Sequence, residues 1–149
     1  NFPDHRGNLL RLLPKDRYAD YRRPISHLAD HYYAESIEEM KHAEEVIDRI
    51  LYLEGVPEIS RYDVIRVGQT PQEQIENNMA LETKGVATYN EAIQLCLDVK
   101  DSGSRELMER MVVESEESID WAEAQFDLIK MMGIENYLAQ QVGTPPAQG

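Results

Sequence analysis

Apolar residues recur at helical spacing in three stretches of the chain, and each stretch ends at residues that stop helices. The first stretch runs from near Pro24 to about Glu54, where Gly55 and Pro57 end it. Because the period is near 3.6 residues rather than 2, the pattern predicts a helix and not a strand.

The start of the second stretch carries a helix-capping signal. Thr70 is a capping residue, Pro71 suits the first helical position, and Glu73 three residues after the threonine completes a capping box. The pattern continues to about Lys100, which predicts a second long helix.

The third stretch follows a predicted turn at residues 101–104 and ends at Gly133, and residues 133–141 suit a short additional helix. Each long stretch spans roughly 45 Å at 1.5 Å per residue, which is longer than the helices of most globular domains. Long antiparallel bundles use such helices, so the predicted fold class is all-α.

The N-terminal residues have to supply the remaining helix of a four-helix bundle. Residues 1–24 carry leucines and tyrosines that suit a buried face, but helix breakers interrupt them at Pro3, Gly7, Pro14 and Pro24. We therefore predict a broken, irregular first helix.

The connection between the first two long stretches is long enough to cross the bundle. Residues 55–69 can span the length of a helix at about 3.3 Å per extended residue, and Val64–Val67 suits an extended strip on its surface. Residues 142–149 are predicted to form a loose tail. The whole chain, 1–149, is predicted to form a single domain.

Charge and cysteine content narrow the possible partners. The formal net charge is −13, which disfavours nucleic acid and anionic membranes and favours cations. No apolar run reaches the roughly 20 residues of a membrane-spanning helix. The lone Cys96 excludes an internal disulfide and fits a reducing compartment, so a cytoplasmic location is expected.

Polar residues occupy the predicted inward faces of the three long helices. Glu39 and His42 interrupt the apolar row of the first, Glu82 that of the second, and Ser115 and Ser118 that of the third. All lie near the middle of their helices, so they can meet at one level.

Two explanations of this polar layer stay open. Buried carboxylates need a proton, a hydrogen-bond donor or a metal ion, and the Glu-x-x-His spacing of Glu39 and His42 is the one that di-iron bundles use. Alternatively, His42 and the serines satisfy the carboxylates without any metal.

A second apolar row lies about 100° around the first long helix. Its members suit contact with a partner subunit: Tyr33, Ile37, Met40, Ile47 and Leu51. From the pattern alone, Met40 is an interface residue rather than a metal ligand.

Several sequence runs resemble the bacterioferritins. ESIEEMKHA at 35–43 resembles the centre of the family's second helix, and the resemblance continues without a gap through LETKG at 81–85, SIDW at 118–121 and GIENYL at 133–138. It extends from about Leu28 to Gln141. The first two dozen residues do not match well.

The resemblance implies a ferritin-like four-helix bundle with a long crossover and a short fifth, C-terminal helix. It further implies a 24-subunit cage that stores iron, with ferroxidase activity at a pair of irons. Carried over by position, Glu39 is a bridging ligand, His42 a terminal ligand and Glu82 the ligand from the next helix.

The chain departs from that ligand set at three positions. Ser115 stands where the resemblance implies a second bridging Glu, Ser118 where it implies a His, and Arg6 where it implies the Glu of the first helix. Asp4, Asp16 or Asp20 can take the place of Arg6 under another register. A one-residue slide of the last long helix would bring Glu114, Glu116 or Glu117 inward, but it would turn the apolar row outward.

The resemblance also implies a b-type haem on a twofold axis between two subunits. Met40 matches its sulfur ligand, and four further positions surround the haem: Tyr33, Ile37, Lys41 and Ile59. Some organisms of this family make one subunit rich in di-iron ligands and another suited to haem.

The sequence thus predicts a bacterioferritin-like iron-storage subunit that binds haem and has an incomplete ferroxidase centre, in a homo-oligomer or together with a ferroxidase-competent subunit. Whether the chain is itself an enzyme stays open. One alternative is a ferroxidase with a rearranged or mononuclear iron site at Glu39, His42 and Glu82. The other is a metal-free structural cage subunit.

Overall fold

The computed structural model describes residues 25–58 and 68–142, and the regular structure within these ranges is helical. Four helices follow one another along the chain: α1 at Ser26–Tyr52, α2 at Pro71–Val99, α3 at Ser102–Met132 and α4 at Ile134–Gln140. The three long helices and the short C-terminal helix are therefore confirmed. The predicted first helix, the strip Val64–Val67 and residues 143–149 of the tail lie outside the described residues.

α1 and α2 both end in a left-handed residue, and in neither case is it a glycine. Glu54 has φ 62° and Lys100 has φ 59°. After each of them the chain turns back: the Gly55 N–H donates to the Ile50 carbonyl at 2.8 Å, and the Asp101 N–H to the Cys96 carbonyl at 2.9 Å. These bonds satisfy carbonyls that the helix end leaves open, as in a Schellman motif.

Replacing Lys100 with glycine is expected to stabilise the protein. Relief of the left-handed strain is worth about 1–2 kcal/mol, while the added freedom of the unfolded chain costs about 0.4–1 kcal/mol, so the net gain is about 0.5–1 kcal/mol. Denaturant unfolding measures it. Lys130→Gly, in the last turn of α3, is the matched control and should destabilise instead; an equal loss in both variants would contradict this assignment.

The predicted capping box at the start of α2 is present with one change. The Glu73 N–H donates to Thr70 Oγ1 at 3.2 Å, and Pro71 begins the helix. The Glu73 carboxylate reaches one residue further back than expected, since it accepts from the Gln69 N–H at 2.7 Å. The two side chains therefore still accept from backbone N–H groups at the start of the helix that have no partner within it.

α3 begins inside the stretch predicted to be a turn, because Asp101 caps it. The Asp101 carboxylate accepts from the Ser104 N–H at 3.0 Å, from Ser104 Oγ at 2.5 Å and from the Arg49 guanidinium at 2.5 Å. A Cβ on Gly103 would lie only 2.7 Å from Arg49 Nη2, so this glycine leaves room for the guanidinium. The end of α1 is thereby joined to the start of α3.

The hydrogen bonds from Ser104, and then the guanidinium of Arg49, lower the pKa of Asp101 to about 2. A lowered folded-state pKa contributes stability that is present above the unfolded-state pKa and is lost as the pH falls through the folded-state value. Asp101→Asn should therefore destabilise the protein near neutral pH. The difference from the unmodified protein should shrink between about pH 4 and about pH 2.

Denaturant unfolding at several pH values measures this difference. Asp120→Asn is the matched control, because Asp120 is an exposed aspartate on α3, the helix that Asp101 caps. A loss of stability in Asp101→Asn that is the same at every pH would show that the charge of Asp101 is not its cause.

The described residues belong to two compact units. In the unit that contains residues 25–38 and 132–142, α4 packs against the first turns of α1. The His27 N–H donates to the Gln141 carbonyl at 3.1 Å, and Tyr137 is buried. Burial, and then the nearby Glu35 carboxylate, raises the pKa of Tyr32 in this unit.

The other unit spans residues 39–131. Within it α1 and α3 run antiparallel, because successive residues of α1 meet earlier and earlier residues of α3: His42 with Glu114, Glu45 with Arg110, and Arg49 with Asp101. Its buried residues lie on the predicted inward faces of α2 and α3, together with Leu107: Ile75, Leu107, Met111, Ser115 and Ala122. This unit holds the polar layer.

Candidate functional site

His42 lies between two carboxylates near the middle of α1. Its Nδ1 is 3.5 Å from Glu39 Oε1, one turn earlier on the same helix, and its Nε2 is 2.6 Å from Glu114 Oε2 on α3. The imidazole is 18% exposed, the Glu114 side chain 38% and the Glu39 side chain 60%. The site therefore opens to solvent on the Glu39 side.

The imidazole of His42 faces a carboxylate oxygen that the protein buries. Glu114 Oε2 accepts no hydrogen bond, although it lies 2.6 Å from Nε2 of His42. A buried carboxylate oxygen without a donor is destabilising unless a positive charge lies near it. His42 is the basic side chain in contact with this oxygen.

Tyr89 adds a residue of α2 to the site. Burial raises the pKa of its phenol, and so do the carboxylates of Glu39, Glu82 and Glu114, in that order. One carboxylate from each of α1, α2 and α3 thus acts electrostatically on this phenol. The hydroxyl stays protonated at neutral pH and can donate a hydrogen bond.

Ser115 closes the buried end of the site. It is 7% exposed, and its Oγ lies 3.8 Å from the point that a Cβ on Gly85 would occupy. Cε2 of Tyr89 lies 3.4 Å from the same point. Ser118 follows one turn later on α3 and is half-buried. Two hydroxyls thus occupy the α3 side of the layer.

The structure brings together most of the residues that the polar pattern selects. Glu39, His42, Glu82 and Ser115 all border this layer, whereas Arg6 and the alternative aspartates of the first helix lie outside the described residues. Glu39 is more exposed than its place on the inward face predicts.

Two residues of the site are not predicted in the arrangement observed: the sequence brings Glu114 inward only by a slide of the last long helix, and its polar pattern does not select Tyr89. Glu114 contacts His42 without any slide of α3, since Met111 and Ser115 keep the buried positions that the original register predicts. Its side chain reaches the site from the edge of that face. Tyr89 belongs to the inward row of α2, and its spacing from Gly85 is the signal that could have identified it.

Within the described ranges, no three His, Cys, Asp or Glu side chains are arranged so that they could hold a metal ion. The carboxylates and the imidazole lie near one another, but their closest approaches are mutual contacts. The layer as it stands is a set of protein-to-protein charge contacts.

The second apolar row of α1 faces solvent. Met40 is 39% exposed, Tyr33 and Leu51 are more exposed than Met40, and Ile37 and Ile47 are half-buried. Lys41 is exposed beside the row, and Ile59 lies outside the described residues. An apolar strip with a thioether near its middle is thus available on one helix.

Comparison with known proteins assigns this arrangement to a family. Residues 23–132 match the family model described as a ferritin-like domain. Bacterioferritin of Mycobacterium avium is 42% identical over 123 residues, which cover 83% of this chain and 77% of that protein. The chain belongs to the bacterioferritin family. Bacterioferritin of Rhodobacter capsulatus is 37% identical over 103 residues, 69% of this chain and 64% of that protein.

A solved bacterioferritin agrees with the model in fold. Mycobacterium tuberculosis bacterioferritin, BfrA, matches it with a TM-score of 0.78 and 42% identity, covering 81% of this chain and 76% of that chain. The predicted all-α, ferritin-like fold class is thereby confirmed. None of the helices in the described ranges has the length and apolar character needed to cross a membrane.

Proposed function

We propose that this chain is a haem-binding subunit of a bacterioferritin-type iron-storage cage, and that it does not form a complete di-iron centre by itself. The observation that carries the proposal is the polar layer. His42 contacts the carboxylates of Glu39 and Glu114, while two hydroxyl residues stand on the α3 side.

A pair of irons does not fit the side chains of this layer. Two cations held close together need anionic bridging ligands, and the Ser115 hydroxyl is neutral and weakly coordinating. Ser118 supplies no imidazole. The Nε2 of His42 lies against Glu114 and not in an open position. In this proposal Fe(II) is cargo that the cage stores, and this chain alone does not oxidise it at a di-iron centre.

A haem fits the apolar row of α1. Haem iron takes a methionine sulfur as an axial ligand, and Met40 presents its thioether on the exposed face of the helix. Tyr33 and Ile37 lie on the same face and would cover the porphyrin edge, and Lys41 can pair with a propionate. Two copies related by a twofold axis would each offer one Met40.

The cysteine content of the chain excludes a covalently attached c-type haem and is compatible with the b-type haem that we propose. Covalent attachment of a c-type haem requires a Cys-x-x-Cys-His motif, and the sequence contains only Cys96. When bound, the haem supplies one-electron transfer. Met40 would hold it, and Tyr33, Ile37 and Lys41 would exclude water from its edge and set its orientation.

Co-sedimentation of haem and protein tests the proposal. Protein reconstituted with haem should sediment as a large closed particle, far above the 17.2 kDa of one chain, with the haem absorbance in the same boundary. The apolar row on α1 is the reason to expect assembly, since a monomer would leave it in water. A stable monomer at micromolar concentration would overturn the cage, whereas a haem-containing dimer would leave the haem site standing.

Assembly with a second, ferroxidase-competent subunit extends the proposal. A cage made only of this chain would have to take up Fe(II) oxidised elsewhere, because its own polar layer has lost ligands. Mixing the chain with a ferroxidase-competent bacterioferritin should give cages that contain both subunits.

Two observations favour alternative functions. The carboxylates of Glu39 and Glu82 both raise the pKa of the Tyr89 phenol, which favours a mononuclear iron site that these two residues form with His42. The contacts of His42 with Glu39 and Glu114 favour a metal-free structural layer. The rate of Fe(II) oxidation, treated in the Discussion, separates these alternatives.

A further inference from the structure

The ring of Tyr89 lies back along α2, over a glycine. Side chains on a helix lean toward its N-terminus, so a residue covers the turn that precedes it. For Tyr89 that turn contains Gly85, and the ring lies at ordinary van der Waals distance from the position that a Cβ on this glycine would take. Cε2 and Cζ lie 3.4 Å and 4.0 Å from the point where the Cβ would be.

The same point lies 3.8 Å from Ser115 Oγ, so the ring edge and the serine hydroxyl border one small region between α2 and α3. The carboxylates of Glu39, Glu82 and Glu114 are near enough to the phenol to raise its pKa, after the larger effect of burial. The ring therefore lies on the Ser115 side of the layer, with its hydroxyl within electrostatic reach of carboxylates from three helices.

We propose that Tyr89 fills the volume in which a metal ion would lie between Glu39, Glu82 and the α3 position of Ser115. This inference rests on the proposed function, and it adds a residue that determines which subunit type the chain can be. A metal ion must lie within about 2.0–2.3 Å of each ligand atom, so a tyrosine ring and an ion cannot share the region.

Two features therefore distinguish this chain from a metal-binding subunit: the loss of ligands and the presence of the Tyr89 ring. Replacing both serines with a carboxylate and an imidazole would restore the ligand chemistry. It would leave the ring in place. If the serines alone keep metal out, those two replacements are enough; if Tyr89 fills the volume, they are not.

Anaerobic titration with Co(II), followed by calorimetry and visible absorption, separates the two cases. The starting variant combines Ser115→Glu with Ser118→His, and Tyr89→Ala is then added to it. We expect the double variant to bind the same number of Co(II) ions as the unmodified protein. The triple variant should gain about one ion per subunit, because the two introduced groups add to Glu39, His42 and Glu82.

Tyr89→Phe in the same double background is the matched control, since it keeps the ring and removes the hydroxyl. It should bind no additional Co(II). If it does gain an ion, the hydroxyl and not the ring volume excludes metal, and the proposal is overturned. A gain in the double variant itself, or no gain in a folded triple variant, overturns it as well.

Helix content and particle size are measured for every variant, and Tyr89→Val replaces Tyr89→Ala if the latter does not fold. Haem binding by the unmodified protein is measured separately, because Met40 lies on another face of α1. If the protein binds no haem or forms no cage, the proposed function is wrong. The cobalt titration would still decide the role of Tyr89.

Discussion

Reconstitution with haem is expected to give about one haem per two subunits with a low-spin visible spectrum, and Met40→Leu is expected to abolish that spectrum. Leucine keeps the volume and the apolar character of the side chain. It removes the sulfur, which is the only atom of this residue that can coordinate iron. The loss should therefore appear in the spectrum and in haem affinity, with assembly little changed.

Met131→Leu is the matched control for this substitution. Met131 is another exposed methionine, near the end of α3, and is not a member of the apolar row of α1. Its replacement should leave the haem spectrum unchanged. If Met40→Leu binds haem with the spectrum of the unmodified protein, the ligand assignment is wrong.

Aerobic oxidation of Fe(II) by the homo-oligomer is expected to be slow. Two-electron transfer to O₂ from a pair of irons needs both ions held by bridging ligands, and Ser115 and Ser118 do not provide them. The initial rate should be lower by about 10-fold or more than that of a bacterioferritin with all of the family's ligands. Glu39→Ala should change it little.

Glu38→Ala is the control for that substitution, because Glu38 is the neighbouring carboxylate and is exposed on α1. Both variants should oxidise Fe(II) at the rate of the unmodified protein. Rapid, saturable oxidation that Glu39→Ala abolishes and Glu38→Ala preserves would instead support the mononuclear ferroxidase with Glu39, His42 and Glu82.

The long helices can be predicted from the sequence because the features that specify them are local. Thr70, Pro71 and Glu73 act within one turn, and the apolar period continues through each helix without interruption. The helix ends are less readable. Glu54 takes the left-handed position expected of a glycine, and Asp101 starts α3 inside a predicted turn.

The candidate site is likewise only partly predictable from the sequence. The inward direction of Ser115 follows from periodicity, and the structure shows it buried. The contact of Glu114 with His42 depends on how far a long side chain reaches across from α3, and periodicity does not encode that distance. The position of Tyr89 depends on its packing over Gly85 and beside Ser115, a contact between two helices.

The haem site remains a prediction from motif and exposure. The sequence places Met40 on an outward row, and the model shows that row facing solvent. A ligand shared by two subunits cannot be read from one chain, because half of its contacts belong to the second copy.

Iron analysis of the purified homo-oligomer tests the central claim most directly. After anaerobic equilibration with Fe(II) and removal of unbound metal, haem iron and non-haem iron are counted in the same sample. The account predicts about one haem per two subunits and no more than about one tightly held non-haem iron per subunit. Two tightly held non-haem irons in each subunit, with no haem, would contradict it.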